Sequence, residues 1–283
     1  MKFPGLVEMH VHTAPDVRPR RHTDAEVAQL ARSAGAKAVV LKSHHVPTME
    51  RARQAELATP GVKVMGAIVL NLPQGGLDPA VVESALKQGA RIVWLPTIHA
   101  ENHRRKEGHS DGIVTVRGGR VVAAAEAIFA HIAAADAILA TGHLSADEIP
   151  VAVAAASACG VRKIVVTHPE HQVVGMDIEA QRLLLRNFPV YFERCYAQPI
   201  GGGRYADNLE TNLRAIQALG ADSTVLATDA GQVENPSWDE CWAYIFKFLR
   251  LAGVSESELT KMCVTNPSDL LGLADCFEPH SKK

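Results

Sequence analysis

The sequence predicts an α/β protein, a (β/α)8 barrel (TIM barrel), as one domain of residues 1–283. Short runs rich in Val, Ile and Leu recur along the chain, and each is followed by a segment with helical periodicity. This alternation is typical of βα units around a parallel sheet. The runs number eight, which is the strand count of such a barrel. They are residues 5–12, 36–45, 62–71, 90–100, 136–145, 162–170, 189–196 and 223–231.

The segments between these runs predict the helices, since they open near an Asp, Pro or Glu and end at a Gly. The clearest are residues 24–35, 78–89, 146–160 and 209–220. Residues 101–122, after the fourth strand, are too polar and too long for a plain loop. GIVTV and RVV flank RGG in this segment, which predicts a small hairpin insertion on the active-site face. Residues 238–253 and 255–273 predict C-terminal closing helices.

Composition narrows the class of protein. The chain is 47% hydrophobic and its formal net charge is only -2, so we expect no nucleic-acid partner and no membrane partner. A small-molecule substrate is expected, and a homo-oligomer is compatible with the sequence. Five cysteines form no CxxC pair, and their odd number argues against a disulfide framework. The first residues, MKFPGLVEMH, lack the apolar core of a signal peptide. We therefore expect a cytoplasmic protein.

Histidines concentrate where the predicted strands end, and Asp229 ends the eighth. The carboxyl ends of barrel strands converge on one face, where barrel enzymes build their active sites. Together with Asp229, the following residues come from six strands: His10, His12, His44, His45, His99, His143 and His168. This clustering predicts a functional site at that face.

The stretch LVEMHVHTAPD, residues 6–16, predicts a metal site. Side chains alternate along a strand, so His10 and His12 should point the same way, about 6 to 7 Å apart. Two imidazoles at this spacing can converge on one ion. Imidazole and carboxylate ligands suit a divalent metal, Zn²⁺ first, with Mn²⁺, Fe²⁺ or Ni²⁺ as alternatives. A catalytic site would keep one position open for water.

Four motifs together resemble the amidohydrolase superfamily of metal-dependent hydrolases. They are HVH (10–12), TGH (141–143), THP (167–169) and TDAG (228–231), at the first, fifth, sixth and eighth strands. The closing TNPSDLLGL (265–273) is also similar to an ending common in that superfamily. The resemblance implies a metal site of His10, His12, His143, His168 and Asp229. It also implies that Asp229 takes a proton from the coordinated water and that His168, if not a ligand, polarises the electrophile.

The sequence departs from that superfamily at the fourth strand. Many two-metal members carry there a lysine that is carboxylated and bridges the ions, whereas residues 90–100 contain none. Lys42 and Glu193 could stand in as ligands or charge partners, with His44 beside them as a further candidate, or one ion could suffice. Glu8 shares the parity of His10 but lies deeper, so we expect it to orient a ligand imidazole by accepting its free N–H.

The loop after the first strand contains three candidate substrate residues, Arg18, Arg20 and Arg21. A guanidinium there could hold a carboxylate or phosphate in a bidentate manner. The loop therefore predicts an anionic substrate.

The sequence thus predicts a metal-dependent hydrolase of the amidohydrolase type, in which an activated water attacks a carbonyl, amidine or phosphoryl centre. Two other enzymes remain open: a phosphoesterase of the polymerase-and-histidinol-phosphatase type, which HVHTAPD (10–16) and SHH (43–45) also resemble, and a metal-dependent decarboxylase on the same barrel. A metal-binding scaffold barrel without activity is the non-enzyme alternative.

Overall fold

Eight parallel strands form the barrel, as the sequence predicts. The structure, a computed structural model, describes residues 2–273. In chain order the strands are β1 (Val7–His12), β2 (Ala38–Lys42), β3 (Lys63–Met65, continued after Gly66 by Ala67–Val69), β4 (Ile92–Trp94), β5 (Ile138–Ala140), β6 (Ile164–Thr167), β7 (Val190–Cys195) and β8 (Thr224–Ala227).

Neighbouring strands pair in chain order from β1 to β8. The residues just after β8 close the ring against β1: the Asp229 N–H donates to the His10 carbonyl at 2.9 Å, and the His12 N–H donates to the Ala230 carbonyl at 2.8 Å. The register between β1 and β2 shifts after Glu8. This shift reverses which face of the sheet the following side chains occupy.

Helices cover the outside of the barrel. They are α1 (Asp24–Ala34), α2 (Met49–Ala58), α3 (Pro79–Lys87), α4 (Glu101–Lys106), α5 (Ala123–Ala134), α6 (Glu148–Ala158), α7 (Ile178–Asn187), α8 (Leu209–Leu219), α9 (Trp238–Leu251), α10 (Glu256–Thr260) and α11 (Asn266–Leu271). Helix α1 has the caps that its sequence predicts. Thr23 forms a capping box with Glu26 at its start, and Gly35 ends the helix in the left-handed region.

Apolar side chains form two kinds of core. Alternate residues of the strands, from Val7 and Met9 on β1 to Val225 on β8, fill the barrel interior. The opposite faces of the strands pack against the helices. Leu6 and Val11 belong to this outer layer, so the inward face of β1 changes parity along the strand.

The C-terminal closing helices are present, but the second is divided into shorter segments. Residues 255–273 form α10, a π-helical turn (Lys261–Thr265) and α11 rather than one continuous helix. Leu270 and Leu271 join the interior core, and the Asn266 amide donates to the carbonyls of Ala221 and Thr224, at 2.9 and 2.7 Å. The TNPSDLLGL ending therefore seals the barrel at the end opposite the predicted site.

The insertion after β4 contains the predicted hairpin, with strands Val116–Arg117 and Arg120–Val121. The sequence did not predict α4, which occupies the start of the same segment. A second hairpin, Ala197–Gly201 with Arg204–Asp207, follows β7.

Among the described residues, no helix is long and apolar enough to cross a membrane. The assignment of residues 1–283 to a single domain stays a prediction. Of the five cysteines, Cys276 lies outside the described residues.

Candidate metal centre and active site

A cavity of about 870 Å³ opens at the carboxyl ends of the strands. The sequence-predicted residues that line it are Arg18, Lys42, His12, His44, His99, His143, His168 and Asp229. His45 is exposed and does not line it. His10 lies just below them, fully buried. The barrel thus brings together the five residues predicted to hold metal.

Three atoms that can bind a metal converge at the floor of this cavity. Asp229 Oδ1 lies 3.1 Å from His10 Nε2 and 3.1 Å from His12 Nε2. The oxygen is buried and has no well-formed hydrogen bond to any residue of the described chain. A buried carboxylate oxygen without a hydrogen-bond partner calls for an explanation, and a bound cation is one. The arrangement fits a metal ion.

Two glycines let the motif backbones take these positions. Gly231 of TDAG has a φ of +117°, and a Cβ there would lie 2.0 Å from the His12 carbonyl oxygen. Gly142 of TGH has a φ of +60°, and a Cβ there would lie 2.3 Å from the Leu95 carbonyl oxygen. Both positions therefore require glycine.

Two other motif residues have strained backbones. Asp229 and His168 have φ angles of +49° and +28°, a region that residues other than glycine rarely adopt. Such strain is typical of functional sites. Among the described residues a third non-glycine residue, Asp136 in the turn before β5, shares this backbone conformation; the other two are the residues assigned catalytic roles from the sequence.

Glu193, not Glu8, contacts the ring of His10, the first candidate ligand. Its Oε2 lies 2.9 Å from His10 Nδ1. A carboxylate there keeps the ring hydrogen on Nδ1, which leaves the lone pair of Nε2 free to bind an ion.

Our prediction for Glu8 was wrong because it assumed strict alternation along β1. The register shift places Glu8 on the helix side, where it accepts from the indole N–H groups of Trp238 and Trp242, both at 3.1 Å. It also accepts from the Thr228 hydroxyl at 2.6 Å and the His10 N–H at 2.8 Å. Burial raises the pKa of Glu8 to about 7, although the bonds from Thr228 and His10 act against this. Glu8 therefore ties β1 and β8 to α9.

His12 has different neighbours at its second nitrogen. Its Nδ1 lies 3.1 Å from Arg20 Nη2 and 3.4 Å from Asp16 Oδ2. Arg20 can only donate, so Nδ1 accepts from it here and the ring hydrogen lies on Nε2, facing Asp229. An ion bound at Nε2 would require that hydrogen to move to Nδ1, where Asp16 could accept it. Asp16 was not predicted from the sequence. It also accepts hydrogen bonds from the Ser43 hydroxyl and from the His44 backbone N–H. Asp16 is the last residue of the motif HVHTAPD, and this position could have indicated a role beside His12.

The Lys42 amine lies next to the three atoms that converge at the floor of the cavity. Its Nζ is 2.9 Å from His10 Nε2 and 4.9 Å from the centre of the Trp94 ring. Burial lowers the pKa of this amine, while Asp229 and Glu193 act in the opposite direction. On β4, Trp94 fills the interior. The amine therefore lies beside the three converging atoms, while strand four supplies no ligand.

His143 and His168 stand on the far wall of the cavity, with ring centroids 5.0 Å apart. His171, which the sequence analysis did not single out, stacks on His168 at 3.9 Å with the rings within 7° of parallel. His168 Nδ1 and His171 Nε2 are buried without hydrogen-bond partners in the described chain. Ligand atoms of these two histidines and Asp229 lie within 4.8 Å of one another. However, an ion in the plane of one stacked ring lies outside the plane of the other, so as placed only one of the two can bind it well.

His44 serves the site indirectly. Its ring packs 4.6 Å from that of His12, and its Nδ1 lies 3.0 Å from the Thr97 hydroxyl. It therefore supports the His12 ring from the side.

Burial sets the protonation states of the site. It lowers the pKa of His12 to about 4, with Arg20 contributing, and it holds the pKa values of His143 and His168 well below the usual range. Burial would also raise the pKa of Asp229, but His10 and His12 outweigh it and keep that pKa well below normal. At neutral pH, three imidazoles are therefore neutral beside an ionised carboxylate, which are the forms that bind metals.

His10 is the exception among these histidines. Burial disfavours its charged form, but Asp229 and Glu193 raise its pKa to about 9. In the absence of a metal ion, His10 therefore carries a proton at neutral pH, and an ion would have to displace that proton.

The three candidate arginines have different surroundings. Arg18 lines the cavity and pairs with Glu234 at 3.2 Å. Arg20 is buried, with an ion pair to Asp16 at 2.5 Å and the contact to His12. Arg21 donates to the Val233 carbonyl at 2.8 Å and does not line the cavity. Of these three arginines, only Arg18 lines the cavity that a substrate would occupy.

Solved structures share this fold at low sequence identity. A phosphotriesterase homology protein from Escherichia coli is 16% identical, with 96% of this chain and 100% of that chain covered and a TM-score of 0.63. An amidohydrolase from Pseudomonas aeruginosa is 12% identical over 94% and 95% of the chains, with a TM-score of 0.61. A 2,6-dihydroxybenzoate decarboxylase from Rhizobium is 15% identical over 96% and 99%, with a TM-score of 0.56. The chain therefore shares the barrel fold of these enzymes, which is the fold that the resemblance implied.

The sequence itself shows the family to which the chain belongs. Residues 5–193 match the family described as "Family of unknown function (DUF6282)". No curated protein matches the sequence.

Proposed function

We propose that this protein is a metal-dependent hydrolase that acts on a small anionic substrate. The observation that carries the proposal is the convergence of the buried Asp229 Oδ1 with two imidazole nitrogens, each 3.1 Å away. When the Nε2 atoms of both rings are deprotonated, these three atoms all carry lone pairs and repel one another unless a cation lies between them.

His10, His12 and Asp229 would hold the ion, with His143 and His168 available from the facing wall. The nitrogen and oxygen donors suit Zn²⁺ first, then Mn²⁺, Fe²⁺ or Ni²⁺. We expect one tightly bound ion, because β4 supplies no bridging lysine and the Lys42 amine already lies 2.9 Å from His10 Nε2. When bound, such an ion lowers the pKa of a water molecule toward 7.

The chain's own residues would handle the proton and the substrate. Asp229 is ionised, so it can take a proton from the attacking water and return it to the leaving group as the scissile bond breaks. His168, where it is not a ligand, would donate a hydrogen bond to the electrophilic carbonyl, amidine or phosphoryl group. The cavity walls would limit access of other water molecules.

Metal analysis combined with a substrate screen tests this function. Purified protein should contain about one divalent ion per chain, and it should hydrolyse at least one member of a panel of amides, lactones, deamination substrates and phosphoesters. Chelation should remove the activity and metal should restore it. Asp229→Asn should lose it, since the amide cannot take the proton. Protein that binds no divalent metal would contradict the proposal. Release of CO₂ from an aromatic acid, without hydrolysis of any panel member, would instead identify a decarboxylase.

Arg18 is the residue we propose for binding the substrate anion. Charge-assisted bonds contribute about 1.5 to 3 kcal/mol. Arg18 is partly exposed and shared with Glu234, so we expect the low end: Arg18→Ala should raise KM about 10-fold and leave kcat and metal content unchanged. Arg21→Ala is the matched control and should behave like the wild type. Equal KM values for Arg18→Ala and the wild type would leave Arg18 without a role in binding.

A further inference from the structure

The helix α4 brings a second histidine against His143. His103 Nδ1 lies 2.6 Å from His143 Nδ1. Their rings lie within 13° of parallel, with centroids 4.8 Å apart. Two ring nitrogens at this distance must share one hydrogen, because two hydrogens would clash and two lone pairs would repel each other.

Glu107 determines which of the two histidines carries that hydrogen. Its Oε1 lies 3.3 Å from the other nitrogen of His103, Nε2. An ionised carboxylate only accepts, so the hydrogen of a neutral His103 belongs on Nε2. His103 Nδ1 is then an acceptor, and His143 must be the donor through its own Nδ1.

His143 is left with a lone pair on Nε2. That nitrogen has no hydrogen-bond partner in residues 2–273, and His143 lines the cavity that contains Asp229 and His168. The Nδ1–H form is the tautomer in which an imidazole can bind a metal through Nε2.

The backbone of His143 is held by the same helix. The Asn102 amide donates to the His143 carbonyl at 3.0 Å and to the Val173 carbonyl at 2.7 Å. Gly112 then packs against α4 so closely that a Cβ there would lie 2.3 Å from Glu101 Cα. The helix therefore has a fixed position relative to the loops after β5 and β6.

We propose that His103 is a positioning residue, which with Glu107 holds His143 in the Nδ1–H tautomer and presents Nε2 to the ion. The inference rests on the proposed function, since it assigns His143 to the metal. It gives the insertion after β4 a specific task.

Zn²⁺ binding to the full chain tests the inference, measured by competition with a chelating dye. His103→Leu removes the acceptor and should weaken binding about 10- to 100-fold, the usual cost of losing a partner of a metal ligand. His103→Asn keeps an acceptor oxygen near the position of Nδ1 and should recover most of the affinity. His109→Leu makes the same change at an exposed histidine of the same insertion and should bind Zn²⁺ like the wild type.

Nitrogen-15 NMR of the metal-free wild type provides a second measurement, which needs no variant to fold. We expect the ring hydrogen of His143 on Nδ1 and that of His103 on Nε2. A His143 hydrogen on Nε2, or unchanged Zn²⁺ affinity in a folded His103→Leu protein, would overturn the inference. Wild-type protein that binds no Zn²⁺ or other divalent ion would overturn the proposed function instead, and the NMR result would still decide the tautomer.

Discussion

Replacing both His10 and His12 with alanine should abolish stoichiometric metal binding. The two rings supply two of the three atoms that converge at the floor of the cavity. Loss of a mere partner of a ligand already costs about 10- to 100-fold in affinity, so loss of two ligands should exceed about 100-fold. Metal content per chain after dialysis, measured by elemental analysis, gives the result directly.

The matched control changes two exposed histidines, His45 and His109, to alanine. This protein should keep its metal, which would show that the number of histidines is not what matters. If the His10 and His12 double variant kept its ion while remaining folded, the site would have to lie elsewhere, and His143, His168 and His171 would be the next residues to change.

The second large effect concerns stability. Glu8→Leu should lower the free energy of unfolding by about 3 kcal/mol or more, because two buried indole N–H groups lose their acceptor and each unsatisfied donor costs about 1–3 kcal/mol. Urea unfolding followed by tryptophan fluorescence measures this change. Glu210→Leu is the control, since that glutamate is exposed and no change in stability is expected.

A further pair of changes isolates the cause. In the Glu8→Leu protein, replacing Trp238 or Trp242 with Phe removes a donor that has lost its partner, so it should recover part of the lost stability or cost little. The same Phe substitutions in the wild type should be clearly destabilising. If each tryptophan substitution cost the same with and without Glu8, the hydrogen bonds to that carboxylate would not be what stabilises this side of the barrel.

The strand count and most of the metal-binding candidates could be predicted from the sequence because both depend on local pattern. Eight apolar runs predict eight strands, and His10, His12 and Asp229 end strands that must meet at one face. Glu8 could not be placed in the same way. Its side depends on the register shift in β1, which a period-two pattern does not reveal.

The insertion after β4 shows a second limit. Its polarity indicated a surface segment, but α4 places His103 against His143 through contacts between residues about 40 positions apart. Asp16 was missed for a related reason, since its partners Ser43 and His44 belong to another loop. Tertiary contacts of this kind leave no periodicity in the chain.

Under the proposed function, the place where the barrel closes determines when in biosynthesis an ion can bind. His10 and His12 lie on the first strand, whereas Asp229 follows the last one, and the same residues form the hydrogen bonds that close the ring. A ribosome-bound chain that stops short of residue 229 already contains both histidines but cannot bring the carboxylate to them. Metal loading should therefore be a late event in biosynthesis. A bound ion would join the first strand to the segment after the last one, and it should stabilise the folded state in proportion to the logarithm of its free concentration.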